Sequence, residues 1–254
     1  MRVDLMGKAH NDEEVLESLP KCANHKYIIA NGEVIWIDDD GEKVANPNIV
    51  SIPAYSFPYS DEIHKIVIPD GVTSIGGDAF SYCSRLTSVT IPDSVTKIGA
   101  SAFSHCSVLK SITIPDSVWS IGDYAFYECK MLKSVIIHDG VKNIGHWAFS
   151  RCKDLESVTI PNSVKNIGES VFYHCIGLKS AVIPDGVNNI RPYAFYGCTE
   201  LTSVVIPEGV TSIGSGAFSR CNNLKSAKVP KKCKVDCTAF PYDCTVRYVI
   251  DKRI

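Results

Sequence analysis

Apolar side chains recur along this chain with a fixed period of 23 residues. Four positions of the period hold the same residue type in seven consecutive copies: cysteine, phenylalanine, leucine and isoleucine. The cysteines are Cys83, Cys106, Cys129, Cys152, Cys175, Cys198 and Cys221, and the phenylalanines are Phe80, Phe103, Phe126, Phe149, Phe172, Phe195 and Phe218. Self-similarity at a period of this size indicates a stack of repeats, each too small to bury its apolar side chains alone.

The first half of each repeat has the pattern of a β-strand followed by a turn. One repeat reads I-P-D-x-V-x-x-I-G-x-x-A-F-x-x-C-x-x-L-x-S-V-x. Val89 and Ile91 alternate with Thr90, which puts the two apolar side chains on one face of a strand. Pro92 ends that strand because proline cannot donate to a ladder, and the Pro-Asp pair after it is a turn signal.

The second half predicts a second short extended stretch and then about one turn of helix. Val95 and Ile98 form the extended stretch, which Gly99 closes. The A-F-x-x-C segment places Phe103 and Cys106 at a spacing that suits a helical turn with both side chains inward. Stacking of successive repeats would bury these side chains as continuous ladders.

The motif L-x-x-V-x-I-P-x-x-V-x-x-I-G-x-x-A-F-x-x-C resembles the BspA-like leucine-rich repeat over about residues 46 to 250. The resemblance implies a right-handed repeat solenoid of the leucine-rich-repeat type. In such a solenoid a parallel β-sheet forms one face, and short extended and helical turns form the other. It also implies a non-enzymatic protein-binding module that acts in surface adhesion or host-protein binding.

The two ends of the chain depart from the repeat and predict caps. Residues 1–45 are read as an N-terminal cap, with a short helix over Asp12–Leu19 and a β-hairpin around Asn31-Gly32. Residues 46–229 are the repeats, beginning with a degenerate copy, and residues 230–254 are a closing repeat and cap. Val235, Phe240, Val246 and Val249 lie one position short of the period, which predicts a one-residue deletion in the closing repeat.

Composition and charge exclude several classes of function. The net charge is -2, which argues against nucleic-acid binding, since that requires a basic face. No apolar run reaches the length of a membrane span. The N-terminal residues have no apolar core of a signal peptide, which favours the cytoplasm, whereas the resemblance implies the cell surface. Residues 1–62 carry 12 acids and 5 bases and residues 225–254 carry 8 bases and 3 acids, which fits either soluble caps or head-to-tail self-association.

Neither the cysteines nor the carboxylates indicate a catalytic or metal site. The repeat cysteines are expected to be buried free thiols, because neighbours in such a column point the same way and not toward each other. Cys233, Cys237 and Cys244 lie in the irregular cap, where they are free to pair, but their spacing is unusual for zinc. The aspartates of the turn recur in nearly every copy and are read as turn formers. We therefore expect no enzyme activity, no metal and no cofactor.

Aromatic residues in the middle repeats are the one feature that the repeat does not require. Two positions flank the A-F pair and are expected to be exposed; outer repeats hold small or polar residues there, such as Ser101 and Ser104. The candidate protein-binding residues at or near these positions are Trp119, Tyr124, Tyr127, Trp147, Tyr173, Tyr193 and Tyr196. They are interpreted either as a cover over the stack or as a contact patch for a protein ligand. The alternative function is a structural or assembly component of a larger complex, with head-to-tail or patch-mediated self-association.

Overall fold

The polypeptide winds into nine stacked repeats in a computed structural model that describes residues 26–30, 33–37 and 49–249. We number the repeats 1 to 9 by the phenylalanine that each contributes to the core. In order, these are Phe57, Phe80, Phe103, Phe126, Phe149, Phe172, Phe195, Phe218 and Phe240. The result is a parallel-strand β-solenoid, and this confirms the predicted fold class.

Each repeat contributes one strand to a short sheet and then one strand to a long sheet. The short-sheet strands are β3 (Ser51–Ile52), β5 (Ser74–Ile75), β7 (Lys97–Ile98), β9 (Ser120–Ile121), β11 (Asn143–Ile144), β13 (Asn166–Ile167), β15 (Asn189–Ile190), β17 (Ser212–Ile213) and β19 (Lys234–Val235). The long-sheet strands are β4 (Lys65–Val67), β6 (Ser88–Thr90), β8 (Ser111–Ile114), β10 (Ser134–Ile137), β12 (Ser157–Thr159), β14 (Ser180–Val182), β16 (Ser203–Val205), β18 (Ser226–Pro230) and β20 (Thr245–Val249).

Strands of successive repeats pair in parallel with equivalent residues opposite each other, as Ser134 with Ser111 and Ser157 with Ser134. The long sheet is interrupted between β6 and β8, and the short sheet is interrupted between β13 and β15. At the N-terminal end, β1 (Lys26–Ala30) and β2 (Glu33–Ile37) form an antiparallel hairpin, and β2 continues the long sheet through β4. The pairing of Ala30 with Glu33 confirms the predicted hairpin, and Asn31-Gly32 lies outside the described residues. The helix expected over Asp12–Leu19 lies outside the described residues, and the division into cap, repeats and closing cap stays a prediction.

The helical turn expected at A-F-x-x-C is wrong, because the described residues contain no helix. Here alternate N–H groups donate to the next repeat rather than to a carbonyl four residues earlier. Examples are Tyr124 to the His146 carbonyl and Phe126 to the Ala148 carbonyl, both at 2.8 Å. Left-handed backbone at Tyr124 and Glu128, with φ of 57° in both, keeps the segment flat enough for this pairing.

The core consists of ladders of identical side chains that run the length of the stack. Neighbouring phenylalanine rings stack nearly parallel, with centroid distances from 5.1 to 5.8 Å between Phe57 and Phe240. Parallel repeats impose this geometry, because equivalent side chains must point in the same direction about 4.8 Å apart. The leucine column, from Leu86 to Leu224, is likewise completely buried.

The repeat cysteines are free thiols buried in the same core. Each Sγ–H donates to the carbonyl of the phenylalanine one repeat earlier, as Cys106 to Phe80 at 3.2 Å and Cys129 to Phe103 at 3.2 Å. Burial raises the pKa of the Cys83 and Cys175 thiols to about 12, which suppresses the reactive thiolate. In the closing repeat Cys237 is exposed, Cys244 is half-buried and Cys233 is buried, and all three are free.

Thiol titration of the native protein is expected to detect Cys237 quickly and the seven repeat cysteines only after denaturation. The physical reason is that attack requires an accessible thiolate, and these thiols are neither accessible nor ionised. Ellman titration with and without urea measures the difference. Rapid titration of the repeat thiols in the native state, or their isolation as disulfides between successive repeats, would contradict the buried-thiol interpretation.

The closing repeat is shorter than the others, in two steps. Ser212 pairs with Lys234, one position earlier than the 23-residue period requires, and this confirms the predicted deletion up to Phe240. The position that the sequence predicted for the last strand is wrong. Ser226 pairs with Thr245, four positions earlier than the 23-residue period requires. The turn at Pro241–Cys244 is cut short here, so Val246 lies opposite Ala227.

No helix in the described ranges has the length and apolar character needed to cross a bilayer.

Candidate functional site

Two columns of left-handed residues run along the turn side of the solenoid. The first comprises Tyr55, Asp78, Ser101, Tyr124, Trp147, Ser170, Tyr193 and Gly216, and the second comprises Tyr59, Tyr82, His105, Glu128, Arg151, His174, Gly197 and Arg220. All of the described non-glycine residues with positive φ belong to these two columns. A positive φ is uncommon for bulky residues, so nothing in the backbone favours tyrosine or tryptophan at these positions.

Aromatic rings on this side form one connected surface, which we call the aromatic ridge. It consists of Tyr59, Tyr82, His105, Tyr124, Tyr127, Trp147, Tyr173, Tyr193 and Tyr196. The rings belong to repeats 1 to 7, so the ridge is roughly 29 Å long at the spacing of parallel strands. The structure thus brings together six of the seven aromatic residues that the sequence singled out.

The ring contacts are continuous from one end of the ridge to the other. Tyr59 stacks on Tyr82 at 4.7 Å, and Tyr82 stacks on His105 at 4.1 Å between centroids. His105 then meets the edge of Tyr127 at 5.3 Å, and Tyr127 meets Tyr124 at 5.6 Å. Each ring therefore holds its neighbour in place. Because the side chains are already ordered, a partner that binds them loses less conformational entropy.

The second half of the ridge continues from Tyr124 to Trp147, whose rings are nearly parallel at 6.1 Å. Trp147 contacts Tyr173 at 5.1 Å, and Tyr173 stacks on Tyr196 at 5.0 Å. Tyr193 completes the row by meeting Tyr196 edge-on at 5.8 Å. Large rings in contact at successive repeats thus form a firm surface that combines apolar rings with polar hydroxyl groups.

Two sequence expectations about these residues need correction. The position of Tyr127 was expected to be exposed, but Ser81, Ser104 and Ser150 are buried at the equivalent position, and the tyrosines there are half-buried. The reason is that the segment is a flat turn and not a helix, so residues three apart do not share an outer face. Trp119 is 48% exposed but lies in the connection before β9, and no ring of the described residues contacts it.

Sequence analysis missed the rings at the N-terminal end of the ridge. Tyr59, Tyr82 and His105 belong to the second left-handed column, which lies one residue beyond the two positions that flank the A-F pair. Tyr59 is the most exposed ring of the ridge, at 71%. Aligning the degenerate first repeat with the others at this column would have revealed the Tyr-Tyr-His run.

Charged side chains lie beside the middle of the ridge. Glu128 accepts hydrogen bonds or ion-pair contacts from Arg151 at 2.9 Å and Lys130 at 3.2 Å, and His105 lies 3.9 Å away. The Arg151 guanidinium lies 6.0 Å from the Tyr127 ring centroid, and Arg220 lies 5.5 Å from that of Tyr196. These cation–π contacts place positive charge directly on the ridge.

The titration of these groups follows from burial and charge. Burial raises the pKa of Glu128, but the hydrogen bonds from Arg151 and Lys130 outweigh it, so the pKa lies below its ordinary value. Partial burial lowers the pKa of His105 more than Glu128 raises it, and partial burial with nearby Arg151 lowers the pKa of His174. The arginines therefore carry the positive charge of the ridge at neutral pH, whereas these histidines are mostly neutral.

The long sheet presents a second exposed surface, which is smooth and weakly charged. Its outward side chains include Val67, Ile136, Val182 and Val205, at a position where other repeats hold threonine. Within the described ranges, no group of three or more histidine, cysteine, aspartate or glutamate side chains is arranged to hold a metal ion. The ridge is the surface where side chains depart most from what the repeat requires.

Comparison with known proteins identifies the repeat. The model of the BspA type leucine-rich repeat region matches residues 50–175 and 120–247, with six copies. A leucine-rich repeat protein of T. pallidum has a similar crystal structure, with a TM-score of 0.62 and 30% identity over 82% of this chain and 91% of that chain. The pneumococcal vaccine antigen PcpA shares the fold, with a TM-score of 0.53 and 19% identity over 88% of this chain and 78% of that chain.

No curated protein sequence matches the chain significantly. The family model nevertheless spans most of the chain, from the first repeat to the last, and its period coincides with the stacked repeats of the structure. Together with the T. pallidum protein, which matches over most of both chains, this is sufficient for assignment. The chain belongs to the BspA-type leucine-rich repeat family.

Proposed function

We propose that the chain is a non-enzymatic protein-binding module whose contact surface is the aromatic ridge. Membership of a leucine-rich repeat family is consistent with a protein-binding or surface module. The finer role is adhesion at a cell surface, to a host or matrix protein. The observation that carries the proposal is the unbroken row of ring contacts from Tyr59 to Tyr193, at positions where the repeat accepts serine or glycine.

The chemistry of the ridge suits a protein partner. Tyrosine and tryptophan provide large contact areas with few rotatable bonds, and with arginine they dominate the binding energy of protein interfaces. Arg151 and Arg220 lie over ridge rings, so aromatic and cationic anchors are adjacent. The rings also cover the stack: Tyr193 lies so close to Gly216 that a Cβ there would be 2.7 Å from the ring. Packing of the base of a ring against the next repeat leaves its outer face available to a partner.

The test is to replace Tyr124, Trp147 and Tyr193 together with serine. Ser101 and Ser170 occupy the same column in neighbouring repeats, so the substituted side chain is already compatible with the fold. We expect binding to immobilised extracellular-matrix protein, measured by surface plasmon resonance, to weaken at least 100-fold, because three anchors of about 1–2 kcal/mol or more each are lost. Circular dichroism and the urea midpoint should change little.

The matched control removes apolar side chains from the opposite face. Ile136, Val182 and Val205 are replaced with threonine, the residue that Thr90, Thr113 and Thr159 provide at that position. This variant should bind like the wild type. If only the threonine variant loses affinity, the long sheet is the contact surface and the ridge is a cover. Equal loss in both triple variants would contradict a contact surface confined to the ridge.

Self-association is the second candidate, and the chain ends favour it. Strand β20 is the last strand of the long sheet and pairs only with β18 among the described strands, so one edge has no described partner. The charge balance is +5 over residues 225–254 and -7 over residues 1–62, which favours contact between unlike ends. Size-exclusion chromatography of the same variants separates the two candidates: a salt-sensitive oligomer that the serine variant retains would support head-to-tail assembly.

A further inference from the structure

A polar groove crosses repeats 3 to 7 on the side of the short sheet, away from the aromatic ridge. Its volume is about 560 Å³, and it extends from Lys97 to Arg191. Gly122, Gly145 and Gly168 form part of its floor, where the absence of side chains lets successive repeats pack closely. At the spacing of parallel strands the groove is roughly 19 Å long, which suits an extended ligand and not a compact one.

The short sheet is broken inside this groove, between repeats 6 and 7. Every other pair of neighbouring repeats makes two backbone hydrogen bonds that flank the short strands. Lys165 N–H donates to the Lys142 carbonyl at 2.9 Å, and Gly168 N–H donates to the Ile144 carbonyl at 2.8 Å. The equivalent bonds recur one repeat later, where Thr211 donates to Asn188 and Gly214 donates to Ile190, at 2.7 and 2.9 Å.

Between repeats 6 and 7 both bonds are missing. The N–H groups of Asn188 and Arg191 and the carbonyls of Lys165 and Ile167 find no hydrogen-bond partner in the described part of the chain. Asn188, Arg191 and Lys165 are exposed and Ile167 is buried, so the unpaired N–H groups at the break are open to water or to a ligand. They belong to residues that line the groove.

Arg191 accounts for the break. It occupies the position that is glycine in repeats 2 to 6 and in repeat 8. A Cβ built at those glycines would collide with the backbone of the preceding repeat, at 2.6 Å in Gly122 and 2.5 Å in Gly168. The side chain of Arg191 therefore forces its repeat away from Gly168, and the ladder opens at this point.

Cations without a nearby carboxylate lie at both ends of the groove, Lys97 at one end and Lys165 with Arg191 at the opening. Lys97, Lys165 and Arg191 line the groove, and none of them has a carboxylate of the described residues within 4 Å. Asp123 is the one carboxylate in the lining, and its Oδ1 already accepts the His146 N–H at 2.7 Å. Lys165 also extends toward repeat 7, since a Cβ at Gly186 would be 2.5 Å from its ammonium nitrogen.

A column of amides runs between these cations. Asn166 Nδ2 donates to Asn143 Oδ1 at 2.7 Å, which leaves the Asn143 amino group and the Asn166 amide oxygen without a partner among the described residues. Asn189 Oδ1 accepts the Ser212 hydroxyl at 2.6 Å, and its amino group is likewise unpaired there. Alternating donors and acceptors of this kind match the hydroxyl groups of a sugar.

We infer that the groove binds an acidic oligosaccharide, with a carboxylate or sulfate at the opening beside Arg191 and Lys165. The unpaired N–H groups of Asn188 and Arg191 add donors for the same anion. An acidic peptide fits less well, because the apolar lining residues Ile144 and Ile167 are buried in the core and offer no side-chain pockets. The inference is independent of the protein-binding role of the ridge.

Isothermal titration calorimetry with a galacturonic acid hexamer tests the assignment. The fully methyl-esterified hexamer, which has the same sugars without the charges, and hexaglutamate are titrated in parallel. The acidic hexamer should bind, and more weakly as salt is raised from 50 to 200 mM. No binding of the acidic hexamer, equal binding of the esterified hexamer, or preference for hexaglutamate would each overturn the proposal.

Three variants locate the site. Arg191→Gly restores the residue of six other repeats, so it should fold and yet bind the acidic hexamer at least tenfold more weakly. Lys165→Thr should weaken binding by a similar factor, whereas the control Lys142→Thr should not, because Lys142 is in the same column but does not line the groove. Threonine is already present in this column at Thr96 and Thr211. Unchanged affinity in both Arg191→Gly and Lys165→Thr would place the ligand elsewhere.

Amide hydrogen exchange measures the break itself. In the wild type the amides of residues 188 and 191 should exchange much faster than those of Thr211 and Gly214, and the acidic hexamer should slow them. In Arg191→Gly both amides should become protected without ligand, because the ladder closes. Equal protection of the two pairs in the free wild type would mean that the ladder is not open, and would remove the basis of the proposal.

Discussion

Replacing Phe149 with alanine is expected to lower the free energy of unfolding by about 3–5 kcal/mol, the typical range for a large aromatic residue removed from a core. Phe149 is completely buried and stacks between Phe126 and Phe172, with centroid distances of 5.2 and 5.8 Å. The substitution breaks both ring contacts and leaves a cavity that repeated side chains on either side cannot fill. Urea denaturation followed by circular dichroism measures the loss.

The same substitution at Phe240 is the matched control. Phe240 ends the column, is only half-buried and stacks on one ring, Phe218, at 5.1 Å. Its loss should be clearly smaller, because the terminal repeat can fray without opening the rest of the stack. Equal losses at the two positions would mean that the phenylalanine column is not the continuous core that the repeats share.

Most of the architecture could be predicted from the sequence because the same pattern of strand and turn residues recurs in every repeat. A single isoleucine-proline pair is weak evidence for a strand end, but the same pair in several copies leaves little choice about where strands lie. The 23-residue period also determines the register, since equivalent residues must pair, as Ser134 does with Ser111. Prediction failed where the copies end: the last strand, from Thr245, pairs four positions earlier than the period requires.

The local conformation at A-F-x-x-C was not predictable from side-chain spacing. An i, i+3 or i, i+4 pattern fits a helical turn and a flat turn equally well, because both bring Phe103 and Cys106 inward. The difference lies in where the N–H groups donate, and that depends on the next repeat: Phe103 donates to Ala125 at 2.8 Å. Left-handed backbone at Ser101 and His105 makes this possible, although neither residue type signals it strongly.

The aromatic ridge and the polar groove could each be predicted from the sequence only in part, for different reasons. Six residues of the ridge were identifiable because aromatics replaced serine at a repeated position, but the contact of Tyr59 and Tyr82 with the rest depended on stacking between repeats. Arg191 is visible in the sequence as a departure from glycine. Its consequence, an interrupted ladder with unpaired N–H groups, appears only when the distance between adjacent repeats is known.

The second large expected effect is a loss of stability when a side chain is added to the glycine column. This column is the position that Arg191 occupies in repeat 7 and glycine occupies in repeats 2 to 6 and 8. Gly122→Ala should lower the free energy of unfolding by about 1–3 kcal/mol, the cost of forcing an extra group into a packed structure. The added Cβ would lie 2.6 Å from the backbone nitrogen of Ala100 and from the carbonyl carbon of Gly99, and neither can move without displacing repeat 3. The hydrogen bond from Gly122 N–H to the Ile98 carbonyl, 2.9 Å long, should be lost as the repeats separate.

Gly77→Ala is the control for this substitution, because it adds the same methyl group one position along the chain from the column. Its Cβ would meet only the Ala100 carbonyl oxygen, at 3.2 Å, and Ala100 and Asp123 occupy the equivalent position in the next two repeats. Urea denaturation should show little change, and amide exchange at Gly122 should rise only in the Gly122→Ala variant. If Gly122→Ala were as stable as Gly77→Ala and kept its amide protected, a side chain in the glycine column would not separate adjacent repeats. The open ladder beside Arg191 would then need another cause, such as Pro192, which follows it and has no N–H to donate.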